Sequence, residues 1–174
     1  MNNRILLSCT IIMLTILTIP TVSAHGGEST DGLTNLQILL ISVGIAASTY
    51  FLIMRFLESK INHTSRLLFP LVAFTGAVHV LLGLSDNLLL LGGIGVIGII
   101  ALSLIVDFTQ SQEKIAMFGL GLVVVTMFIA YFVSNHDLHY IAEDYLGIIT
   151  KLVEITIIIL LYKQVKQSST KSQG

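Results

Sequence analysis

His25, His79, His136 and His139, together with Asp86 and Asp137, are the side chains best suited to hold a metal ion in this chain of 174 residues. His136 and His139 stand in Asn135-His136-Asp137-Leu138-His139-Tyr140. Their spacing places both imidazoles on one face of a helical turn, near enough to share an ion. Asp137 is placed to orient an imidazole through its second nitrogen, and Asp86 offers a further carboxylate to the same role. His25 follows a small-residue box, Val22-Ser23-Ala24. Cleavage after Ala24 would leave His25 with a free α-amine, so amine and imidazole nitrogen could bind one ion together. Copper favours such nitrogen ligands in a tetragonal plane. Gly26 and Gly27 let the backbone fold around it. Zinc on three histidines is the alternative.

A second group lies deeper. His79 stands in Ala73-Phe74-Thr75-Gly76-Ala77-Val78-His79-Val80-Leu81-Leu82, apolar throughout except for Thr75. Lys151 and Glu154 interrupt another oily run and share one helical face. Ionisable groups at such depth are costly in a membrane and face the bundle interior with a partner. Two arrangements satisfy them. Lys151 and Glu154 form an internal salt bridge by themselves, or His79 joins them in a buried cluster that serves as a support for the external site, a proton path or an ion path.

These residues need a membrane bundle to position them. Hydrophobic residues make up 54% of the chain and charged residues 11%, with no Trp. A soluble domain of this length has no means of hiding so much apolar surface. Residues 1–24 resemble a secretory signal, with Arg4 as its basic flank and Pro20 before the cleavage box. The sole cysteine, Cys9, lies inside it, so thiolate sites and disulfides are not expected in the processed protein. Five apolar stretches of spanning length follow, at 36–56, 67–84, 88–106, 115–133 and 145–162. The expected organisation is a short external segment at 25–35, an all-α five-helix transmembrane bundle over 36–162 and a disordered polar tail at 163–174. Short connections, such as Ser85-Asp86-Asn87, make successive spans antiparallel.

Charge sets the expected orientation. Arg55, Lys60, Arg66, Lys114, Lys163, Lys166 and Lys171 fall on one side, expected to be cytoplasmic. Glu28, Asp31, Asp86, Asp137, Glu143 and Asp144 fall on the other, which carries no Lys or Arg. The N-terminus is then external, the tail cytoplasmic, and the protein a multi-pass component of the plasma membrane. His25, His136 and His139 sort with the carboxylates, His79 lies just below them, and only His63 is internal. A face with histidines, carboxylates and no ammonium group attracts cations.

Gly92, Gly93, Gly95 and Gly98 in the third span, Gly119 and Gly121 in the fourth, and the small residues Gly44, Ala46, Ala47 and Ser48 in the first, suit close helix packing or contact with other membrane subunits. Gly92-Gly93-Ile94-Gly95 is no phosphate loop, because it lacks the lysine and lies within a span. A bis-histidine haem is disfavoured, since His79 and its partners differ in depth. No catalytic constellation is visible, which points to an accessory or binding protein rather than an enzyme.

A histidine freed by signal cleavage resembles the N-terminal ligand of the exported subunit in the copper membrane monooxygenases, which oxidise methane or ammonia. The resemblance covers His25 and its processing site. It implies copper handling, or an accessory subunit of a copper-dependent membrane oxidase. The alternatives are a metal-free assembly subunit of a membrane complex, or a proton or cation relay built on His79, Lys151 and Glu154.

Overall fold

The computed structural model describes residues 33–57, 63–84, 86–106, 108–134 and 144–171. They form α1 (Asn35–Leu52, continued by a π-helical turn over Ile53–Leu57), α2 (His63–Leu82), α3 (Asn87–Ile105), α4 (Gln110–Ser134) and α5 (Tyr145–Lys171). All five are long and apolar enough to cross a bilayer. No strand occurs among the described residues.

Polar residues at the helix starts supply the orphan amide groups with partners. Thr34 caps α1 in a reciprocal box: its Oγ1 accepts from the Gln37 amide at 3.3 Å, and Gln37 Oε1 accepts from the Thr34 amide at 2.9 Å. Thr109 and Gln112 repeat that box at α4, with distances of 3.4 and 2.9 Å. The box starts α4 five residues before its apolar run at 115, so Gln110–Lys114 is an exposed helical turn rather than loop. Asp86 caps α3, accepting from Leu88 N at 2.8 Å. Asp86→Ala should lower stability by about 1 kcal/mol, measurable as a lower melting temperature in mild detergent.

The fifth helix runs beyond the apolar stretch that ends at 162. It continues to Lys171 through a stretch expected to be a disordered tail. Lys and Gln are good helix formers and no Gly or Pro interrupts them before Gly174. Gln164 is also tied back to α2, donating from Nε2 to Ser65 Oγ at 3.0 Å.

Neighbouring helices run antiparallel. Gly83 faces Leu90 and Gly76 faces Ile97 across α2 and α3. Tyr131 meets Asp144, and Lys151 meets Met127, across α4 and α5. Thr75 meets Glu154 and Ser65 meets Gln164 across α2 and α5. The starts of α1, α3 and α5 therefore share one end with Asp86 and Asp144. The opposite end carries Arg55, Arg66, Lys114, Lys163 and Lys166.

Burial identifies α2 and α5 as the inner pair: 56% of the α2 span and 33% of the α5 span are buried, against 11–17% in the other three. At the acidic end Ile38, Phe74, Val78 and Leu146 join α1, α2 and α5. The other half is a larger cluster of Leu68, Val72, Val96, Ile100, Leu120, Val124, Met127, Ile157 and Leu161. The outer faces expose large apolar groups such as Phe51, Leu88, Phe118 and Leu152, consistent with contact with a lipid bilayer.

Candidate functional site

The α2–α5 seam follows from one regularity of the sequence. Ser65, Leu68, Val72, Thr75 and His79 recur at helical spacing on α2, and Lys151, Glu154, Ile157, Leu161 and Gln164 do so on α5. All ten are buried. The antiparallel crossing brings the polar members opposite one another.

Glu154 is the centre of this seam and is fully buried. Its Oε2 accepts from Lys151 Nζ at 2.7 Å. Its Oε1 accepts from Thr75 Oγ1 at 3.2 Å and lies 3.5 Å from His79 Nε2. Lys151 and Glu154 are three residues apart, one turn of α5, which lets the ammonium fold onto the carboxylate. Thr75 and His79 are four apart on α2, which aims both at Oε1.

The other nitrogen of His79 settles its role. Nδ1 lies 2.8 Å from the backbone oxygen of Thr75. A carbonyl oxygen only accepts, so Nδ1 carries the hydrogen and donates it. On a neutral ring Nε2 is then a bare acceptor facing Glu154 Oε1. Two acceptors 3.5 Å apart make a seat for a single additional proton, on imidazole or carboxyl.

A polar chain links this seat to the acidic end. Lys151 Nζ also donates to Met127 O at 3.2 Å and lies 5.1 Å from the centre of the Tyr131 ring. Tyr131 in turn donates to Asp144 Oδ2 at 3.0 Å, and Asp144 Oδ1 accepts from Gly147 N at 2.9 Å at the head of α5. Asp144 thus caps the helix and holds the tyrosine over Lys151. Tyr131→Phe should cost about 0.5–1.5 kcal/mol, the worth of one hydrogen bond, read as a lower unfolding midpoint. From Tyr145 to Glu154 the helix descends about 14 Å, close to half the thickness of a bilayer core.

Of the residues singled out as metal ligands, His25, His136, His139 and Asp137 lie outside the described residues. The structure does describe His79 and Asp86. His79 is turned to Glu154 and Thr75, and Asp86 to the α3 amides. Among the described residues no group of three His, Cys, Asp or Glu side chains is placed to hold a metal ion. His79 shares the Glu154 carboxylate with the Lys151 ammonium, a neighbour that repels divalent cations.

His79, Lys151 and Glu154 do come together, the closer of the two arrangements that the sequence allowed. Sequence reading missed Tyr131 and the part played by Thr75 and Asp144. Thr75 was legible, being the hydroxyl one turn before His79 on the same helix face. Asp144 stands immediately before the apolar run of α5 with Gly147 behind it, a cap position. Tyr131 carries no local signal, because only the α4–α5 crossing brings it to Lys151. The chain matches no protein-family model, no curated protein and no solved structure.

Proposed function

We propose that this chain is a multi-pass membrane protein that takes up a proton from its extracytoplasmic side into the His79–Glu154 seat. The single observation that carries this reading is the pairing of His79 Nε2 with Glu154 Oε1 at 3.5 Å, both buried and both able to accept. Lys151 supports it by fixing the second carboxylate oxygen. An ammonium group already fills the position where a metal or sodium ion would meet Glu154, which leaves the proton as the species that fits.

The orientation belongs to the same proposal. The end bearing Arg55, Arg66, Lys114, Lys163 and Lys166 is cytoplasmic, by the preference of short basic loops for that side. Residues 1–24 then act as the export signal and the acidic end faces outward. Tyr131 and Asp144 mark the route from that face to the seat. A role as accessory subunit of a larger membrane complex fits the same features, because the described residues are almost wholly spanning helix and form no extramembrane domain to hold a substrate.

The test is infrared difference spectroscopy of the protein in lipid during a pH change. A carboxyl carbonyl band should grow on acidification and vanish in Glu154→Gln. His79→Gln should shift that band, since it removes the competing acceptor. A spectrum with no carboxyl band sensitive to Glu154→Gln would sink the reading.

A further inference from the structure

Below the proton seat the α2–α5 seam changes character. Val72 and Ile157 are fully buried, Leu68 is 3% exposed and Leu161 6%. All four belong to the larger apolar cluster. Their helical spacing from Thr75 and Glu154 places Val72 with Ile157 and Leu68 with Leu161 as two successive apolar layers. A second polar layer follows, where Gln164 Nε2 donates to Ser65 Oγ at 3.0 Å. Gln164 Oε1 is buried there with no hydrogen-bond partner among the described residues. A buried amide oxygen left bare costs about 1–3 kcal/mol, and a water molecule in the seam would satisfy it. Ser42 Oγ, on the buried face of α1, is bare in the same way. The bare Gln164 Oε1 marks the inner polar layer as a place for water, set apart from the seat by the apolar layers.

We infer that the α2–α5 seam is a gated proton path with two stations, separated by an apolar gate made of Val72, Ile157, Leu68 and Leu161. The inference rests on the proton-binding reading and extends it from uptake to transfer. The outer station is Thr75, His79, Lys151 and Glu154, reached past Tyr131 and Asp144. The inner station is Ser65 and Gln164, toward the basic end. Glu154 and Gln164 are ten residues apart on α5, about 15 Å along the helix. A proton does not cross that distance without a chain of water, and the packed layers exclude one. The seat therefore exchanges with the acidic side only until the seam parts. The groups facing Glu154 are His79 and Thr75 from α2, Lys151 from α5 and, one step outward, Tyr131 from α4 with Asp144. No titratable residue lies on α3, and on α1 only Tyr50 and, in its π-helical turn, Arg55, both near its far end.

The test uses the full chain in liposomes loaded with a pH-sensitive dye, with potassium and valinomycin setting the membrane potential. The parent protein should pass protons no faster than protein-free liposomes. Ile157→Asn or Leu161→Asn should raise the flux at least about tenfold, the change that follows from lowering the barrier by about 1.4 kcal/mol. Adding Glu154→Gln to either variant should return the flux to the parent level. Should the asparagine variants fail to fold, Val72→Thr opens the same layer with a nearly isosteric side chain. Flux in the parent equal to that of the variants overturns the gate, and so does flux that survives Glu154→Gln. Folded gate variants that stay impermeable overturn it as well. In each of these cases the infrared band of Glu154 still reports whether the proton seat exists, so failure of the gate and failure of the seat are told apart.

Discussion

Glu154→Leu in an otherwise unchanged chain should destabilise the protein by about 3–5 kcal/mol, because it strands a buried ammonium. Lys151 would keep only the Met127 carbonyl at 3.2 Å and the face of Tyr131. Thr75 would lose its acceptor, and His79 Nε2 the carboxylate oxygen it shares a proton with, at the same time. The paired replacement Lys151→Met with Glu154→Leu should behave differently. Removing both charges together takes away the desolvation cost as well as the attraction, so the double variant should be near the parent or more stable by about 1–4 kcal/mol. Thermal unfolding in mild detergent, followed by circular dichroism, measures both. A single variant as stable as the double one would show that Lys151 finds another partner or water, and that the ion pair is not closed. The double variant also separates stability from function: it should fold well and lose the proton-dependent infrared band.

The other large effect is expected at Gly93. A Cβ there would lie 2.7 Å from the Val80 amide nitrogen, 2.8 Å from Val80 Cγ2 and 2.9 Å from the Gly76 carbonyl. Two of those atoms are backbone, so relief requires α2 and α3 to move apart. Gly93→Ala should cost about 1–3 kcal/mol, the range for overpacking a close contact. It should also loosen the helix that carries Thr75 and His79. Gly98 sits in the same helix with nothing within 4 Å of its Cβ position. Gly98→Ala should therefore cost nothing and gain up to about 1 kcal/mol in helix propensity. Equal melting temperatures for the two alanine variants would mean that Gly93 is not the contact point.

That contrast bears on how much the sequence could say. Gly92, Gly93, Gly95 and Gly98 read alike as a ridge of small residues. In the structure Gly93 meets α2 and Gly92 meets Met127 Sδ, whereas Gly95 and Gly98 face open space. Glycine spacing tells which residues share a helix face and leaves open which face another helix covers. Helix boundaries show the same division. The apolar runs located all five helices, because crossing a bilayer demands length and hydropathy that are local properties. At α4 and α5 the helix runs past the apolar stretch into polar sequence. A capping box at Thr109 and a tie from Gln164 to Ser65 hold helix where the composition alone suggested loop or tail.

The amino-acid sequence by itself determined the helical class, the five spanning helices of the described residues and the positions of His79, Lys151 and Glu154 along them, since each depends on position along a single helix. It also placed Arg55, Arg66, Lys114, Lys163 and Lys166 at one end, because alternation of short connections leaves no other choice. Only the tertiary structure decided that α2 and α5 form the inner pair, and that their antiparallel register lays Thr75 and His79 on Glu154. The same packing brought Tyr131 over Lys151 and set two apolar layers between Glu154 and Gln164. The physical reason is that each helix carries its own periodicity, while the rotation and register between helices come from the sum of many weak side-chain contacts. No single stretch of the chain contains that sum.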